Sequence, residues 1–146
     1  MDRHEATARI LEAKRAKGLS FGELAEQTGS DRVWLTAALL GQHALSEPQA
    51  EQVAKLLDLP ADAAALLQEI PMRGSFASLP PTDPTIYRLY EVLQVYGPAI
   101  KALIHEDFGD GIMSAISFNL DVGRRESEDG PRVRITLDGK FLPYKW

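Results

Sequence analysis

An arginine and a glutamate one helical turn apart, Arg88 and Glu91, and a serine, Ser114, set among apolar residues are the side chains best suited to chemistry. Arginine carries a permanent charge on a planar fork of donors that fits carboxylate-like oxygens, which lysine offers only as a point charge. At i and i+3, an arbitrary Arg/Glu pair is most simply an exposed helix ion pair contributing about 0.2 to 0.5 kcal/mol. Ser114 sits in a run that alternates Ile112, Ser114, Ile116, Phe118, Leu120 and Val122 on one side. A hydroxyl on such a face is either a small packing residue or must hydrogen-bond, because leaving it buried and unpaired costs about 1 to 3 kcal/mol.

The elements that position these residues follow from periodicity. Asp83 as N-cap with Pro84 at the first helical position predicts a helix whose buried stripe is Ile86, Leu89, Tyr90 and Leu93, with Arg88 and Glu91 beside it. Gly97-Pro98 predicts its end or a kink, and Ile100, Leu103 and Ile104 carry a second helical stretch. After the Gly109-Asp110-Gly111 turn the period changes to two, which predicts a half-buried strand. The polar stretch GRRESEDGPR reads as a loop, Val133, Ile135 and Leu137 as a second strand, and Asp138-Gly139 as a turn into a short final segment. So few strands make a marginal sheet, so completion by another subunit is expected.

Upstream, to about Ile70, the apolar spacing is helical throughout. Gly18 stops a first helix; Ser20 with Glu23 forms a capping box for a second, ended by Gly29. Ser30 or Asp31 caps a third, Ser46 with Pro48 and Gln49 starts a fourth, and Pro60 precedes a last helix containing Leu67. The segment IPMRGSFASLPPTDP, with four prolines, reads as a linker. The fold class is therefore α+β: an all-helical domain over 1–73, a linker over 74–83, and a small α+β domain over 84–146.

Composition narrows the function. With 146 residues, 45% apolar and 25% charged, the chain is globular rather than disordered or fibrous. It lacks cysteine, so disulfides, thiolate metal sites and cysteine nucleophiles are excluded, and a reducing cytoplasm fits. The N-terminal stretch MDRHEATARILEAKRAKG interrupts its apolar positions with charges, which argues against a signal peptide or a membrane span. A net charge of −5 gives no general attraction for nucleic acid or anionic lipid, so an anionic ligand needs a local cation.

The order of helices around GELAEQTGS and DRVWLTAALLG resembles the helix-turn-helix domain of phage-repressor-like proteins, which makes a DNA-binding regulator the alternative function. The helix that would enter the groove offers Trp34, Leu35, Ala37 and Ala38, and Arg32 as its one suitable side chain. Met1 to Arg73 carries 8 Lys and Arg against 11 Asp and Glu, a net of −3, whereas phosphate contacts need cationic surface. A scaffold or oligomer-contact role is favoured, with Trp34 in a core or interface. His105-Glu106-Asp107 lacks a second histidine at i+4, so no metal site is expected, and His105 is read as a helix-end cap. Gly109-Asp110-Gly111 leads into a strand without a phosphate-loop lysine, and His4 and His43 form no ligand pattern.

The motif YRLYEVLQVYG followed by KALIHEDFGDGIMSAI, within residues 82–120, closely resembles the catalytic domain of the cyanase (cyanate hydratase, cyanate lyase) family; the likeness extends more loosely across nearly the whole chain. It implies that Arg88, Glu91 and Ser114 are the catalytic residues of a lyase that joins cyanate to bicarbonate, giving carbamate and carbon dioxide, the carbamate then decaying to ammonia and carbon dioxide. It also implies no metal or organic cofactor. The assembly it implies is a cytoplasmic homodecamer, a pentamer of dimers with intertwined C-terminal domains and active sites between subunits. Within it, Arg88 holds and orients the anions, Ser114 donates a hydrogen bond rather than attacking, and Glu91 orients a donor. The departures noticed are Pro98, where a small polar residue is expected, and the tail Tyr144-Lys145-Trp146.

Overall fold

The computed structural model describes residues 1–145; Trp146, the end of the tail noted above, lies outside them. The chain forms two compact units, Met1–Ser75 and a second that begins at Phe76.

The first unit contains five helices: α1 Arg3–Ala16, α2 Phe21–Thr28, α3 Arg32–Leu39, α4 Glu47–Leu56 and α5 Ala61–Gln68. Their starts follow local chemistry. Ser20 Oγ accepts from Glu23 N at 3.0 Å and Glu23 Oε2 accepts from Ser20 N at 2.6 Å, a reciprocal capping box at α2. Asp31 caps α3 by accepting from Trp34 N. Asp2 and Glu5 form a further capping box at α1. Gly29 ends α2 in the left-handed conformation, φ 63°, which a side chain would disfavour.

The core of this unit is Ile10, Leu24, Leu35, Leu39, Val53, Leu57 and Leu67, all fully buried. Each contributes about 1.5 to 3 kcal/mol through removal of apolar surface from water. Arg3 closes the bundle: its Nη atoms donate to Ala38 O at 2.8 Å, His43 O at 3.0 Å and Leu66 O at 3.2 Å, supplying donors to carbonyls at the ends of α3 and α5. Trp34 is not in this core. It is 36% exposed and lies flat on His43, with ring centroids 5.5 Å apart and planes 6° apart.

In the second unit, α6 runs from Pro84 to Phe108, β1 from Gly111 to Arg125 and β2 from Arg132 to Pro143. Asp83 Oδ1 accepts from Ile86 N at 3.0 Å, as its N-cap role predicts. Gly97-Pro98 does not divide the helix; Pro98 sits inside it, where a missing N–H is tolerated within 25 residues of otherwise continuous helix. β1 and β2 form a two-stranded antiparallel sheet, paired from Gly111↔Pro143 to Arg125↔Arg132.

Three expectations are corrected here. First, Asp138-Gly139 is not a turn: β2 continues through it. Second, the alternation from Ile112 to Val122 is broken, because the register advances from Met113 to Phe118 on β1 while β2 advances only from Phe141 to Gly139. Five steps against two reverse the faces, so Ile112 points opposite to Phe118, Leu120 and Val122 rather than sharing their side. Third, the helical stripe is not buried. No residue of α6 is buried, and Leu93 is 60% exposed. The strand face formed by Phe118, Leu120 and Val122 with Leu137, Ile135 and Val133 is likewise largely open. Every buried hydrophobic core residue among the described residues falls between Ala6 and Leu67. One helix and a hairpin have too little surface to enclose a core.

Candidate active site

Arg88 lies in the second turn of α6, set by the Asp83 cap and Pro84. Three residues along the same helix bring Glu91 beside it, and Arg88 Nη1 donates to Glu91 Oε1 at 2.6 Å. The arginine side chain is 72% exposed and the glutamate 40%, so the guanidinium fork is held at one edge and open at the others.

Ser114 is built differently. It is 6% exposed and is the one buried polar residue among those described. It opens the irregular stretch of β1, and its Oγ accepts from Ile116 N at 3.1 Å and from Ser117 N at 2.9 Å. Those two N–H groups have no place in the ladder where the register jumps, so the serine satisfies them. Two accepted hydrogen bonds occupy both oxygen lone pairs and leave the hydroxyl proton to donate. A serine held this way is a donor, and a poor nucleophile without a base.

No such base is at hand. His105, the histidine of this unit, has Nε2 3.1 Å from Gly111 O and Nδ1 3.5 Å from Asp110 Oδ1. It ties the end of α6 to the start of β1, whereas the sequence suggested a cap on helix carbonyls. Its ring also meets Tyr144 edge-on at 6.1 Å.

The structure thus brings Arg88 and Glu91 together but makes no hydrogen bond from either to Ser114. Arg88 stands near the N-terminal end of α6, and β1 is anchored at the other end, seventeen residues on at His105. That is a rise of about 25 Å along the helix. What sequence reasoning missed is the bulge around Ser114. Gly139, placed two residues from Leu137 in an otherwise apolar alternation, was its available signal, since a glycine inside a strand marks a bulge or a close approach.

Comparison with known proteins decides the family. Residues 78–146 match the cyanate lyase C-terminal domain, and residues 3–71 match the N-terminal domain of cyanate hydratase. The cyanate hydratase of Mycolicibacterium vanbaalenii is 57% identical over 146 residues, spanning 100% of this chain and 95% of that protein. The chain belongs to the cyanate hydratase family. The cyanate hydratase of Thiobacillus denitrificans is 55% identical over 99% of both chains. The crystal structure of cyanase from T. urticae, 39% identical, superposes with a TM-score of 0.82 over 94% of this chain and 96% of that one. Because a family domain covers each half, the helical unit is the N-terminal domain of a cyanate hydratase, and the regulator reading has no support. Its α3 buries Leu35, Ala38 and Leu39, which leaves a groove-facing side with Arg32 as its only cation.

Proposed function

We propose that this chain is a cyanate hydratase that decomposes cyanate in a bicarbonate-dependent reaction, with Arg88, Glu91 and Ser114 as its catalytic residues. The observation that carries the reading is family membership along the whole chain. The chemistry of the three side chains supports it. A bicarbonate oxygen attacks the cyanate carbon, bicarbonate's own proton and one from solution are taken up at nitrogen, and the C–O bond of the former bicarbonate breaks to release carbon dioxide and carbamate. A second proton from solution then converts carbamate into ammonia and carbon dioxide. The difficulty is to hold two anions in contact, which an always-charged guanidinium reduces and a fixed donor orients. Arg88 takes the first role. Ser114, with its oxygen already committed to two N–H groups, takes the second by donating to the charge that develops. Glu91 steadies the arginine fork. In this reading positive charge and donors come from the protein, so no metal or organic cofactor is required.

The same features support a proposed assembly of copies of this chain. One guanidinium is a thin counter-charge for two anions, and within one chain Arg88 stands near the start of α6 while Ser114 follows its far end, where His105 ties the helix to β1. The exposed apolar residues of α6 and the hairpin are surface that copies of the chain would cover. A closed symmetric assembly would collect Arg88 from neighbouring copies with Ser114 from others. We assign a homodecamer, a pentamer of dimers, working in the cytoplasm. Among the described residues, no helix is long and apolar enough to cross a membrane.

The test is ammonia release from cyanate by the purified chain, with solution mass measured in parallel. Activity should require added bicarbonate; turnover that is unchanged after bicarbonate is stripped out would overturn the mechanism.

A further inference from the structure

Gly139 lies on β2 opposite Phe118, at the first regular pair after the break in register. It shows no left-handed backbone, so conformational freedom does not explain a glycine there. Space does. A Cβ at position 139 would overlap Met113 Cγ and the backbone carbonyl oxygen of Ser114, with Met113 Sδ at 3.2 Å. The methionine can swing aside, but a carbonyl moves only if the strand moves with it. Ordinary carbon-to-oxygen contact begins near 3.3 Å, so the Ser114 backbone would have to retreat by about 1 Å.

We infer that Gly139 is a positioning residue for Ser114: the side chain it lacks is the space into which β1 folds its bulge, and that fold sets where the Ser114 hydroxyl stands. The inference rests on the proposed role of Ser114 as a donor. The hydroxyl is fixed twice over, by Ile116 and Ser117 N–H groups on its oxygen and by the Ser114 carbonyl seated over Gly139. Added bulk at 139 displaces the second anchor. A reacting group misplaced by about 1 Å can lose about a hundredfold in rate. Gly111 supplies a matched control. A Cβ there would meet Leu142 O and the Phe141 ring, equally crowded and on the same hairpin, and none of the three nearest atoms belongs to Ser114.

The experiment is a cycle of full-length variants, Gly139→Ala, Ser114→Ala and the double substitution, assayed for kcat and KM, with assembly mass checked for each. Gly139→Ala should lower kcat about 10- to 100-fold, and the double variant should be no slower than Ser114→Ala alone, because both act through one hydroxyl. Gly111→Ala combined with Ser114→Ala should instead multiply whatever loss each causes. Multiplying losses for Gly139→Ala and Ser114→Ala would overturn the inference. So would a parental rate for Gly139→Ala beside a slow Ser114→Ala, whereas a parental rate for Ser114→Ala would overturn the reading of the site itself. If Gly139→Ala does not assemble, Gly139→Ala with Met113→Ala keeps the carbonyl overlap and removes the side-chain one. That variant should assemble and be at least tenfold slower than Met113→Ala; equal rates, or failure to assemble, would refute the proposal.

Discussion

Replacing Arg88 separates two roles that one ion pair can have. In Arg88→Ala the contact to Glu91 is lost, but the arginine is 72% exposed and the pair is an i, i+3 helix pair. Such pairs are worth about 0.2 to 0.5 kcal/mol, and alanine's better helix propensity offsets about 0.2 kcal/mol of that. The part of the stability that the pair contributes within one chain should therefore change by no more than about 0.5 kcal/mol. Catalysis should respond on another scale. Loss of a transition-state donor costs about a hundredfold, equivalent to about 2.7 kcal/mol. Arg88→Lys keeps the cation and its reach to Glu91 but loses the fork; one charged hydrogen bond fewer predicts about a tenfold loss. The assay is bicarbonate-dependent ammonia release at saturating cyanate, paired with thermal unfolding of the assembled protein. A rate within about threefold of the parent for Arg88→Ala, about 0.65 kcal/mol, would make the pair a surface feature and remove Arg88 from the site. A large fall in melting temperature alongside the rate would assign it to the architecture.

Two further predictions concern the helical unit. Leu35→Ala, at a fully buried core position, should destabilise that unit by about 2 to 5 kcal/mol, read by denaturant unfolding; a loss under about 1 kcal/mol would contradict the packing described. His43 has its protonation held below the ordinary imidazole value of 6.5, first by burial and then by the nearby Arg73 charge. The unfolded chain therefore binds that proton more readily. The contribution is fully present above pH 6.5 and is lost as pH falls through the lower folded value. Unfolding followed by fluorescence of Trp34, which stacks on the ring, should show that acid-side loss, and His43→Gln should flatten it.

How much of this could be read from the sequence depended on the range of the interactions involved. Caps are local, so Ser20-Glu23, Ser46-Gln49 and Asp83 were legible three residues at a time, and the third cap was narrowed to Ser30 or Asp31, of which Asp31 serves. The Arg88–Glu91 contact was legible for the same reason, since a helix fixes its own i, i+3 neighbours. The strand was another matter. Period-two alternation reports one strand alone, whereas the shift between Met113 and Phe118 is a property of two strands pressed together. Asp138-Gly139 carried the composition of a turn, and only its partner strand reveals that the glycine makes room. Ser114 was rightly singled out as a hydroxyl in need of partners, though its partners are the backbone of its own bulge. The stripe Ile86, Leu89, Tyr90 and Leu93 was correctly recognised as apolar, but nothing within the chain buries it.

That uncovered surface bears on how the protein is made. As the polypeptide leaves the ribosome, its first 75 residues already hold the core they need and can settle alone. The rest emerges with nothing of its own to close around. In the proposed assembly, each newborn molecule would be part finished and part adhesive until sister copies arrive, so rapid and abundant synthesis would favour productive encounters, and scarcity would leave the sticky half exposed to the wrong company.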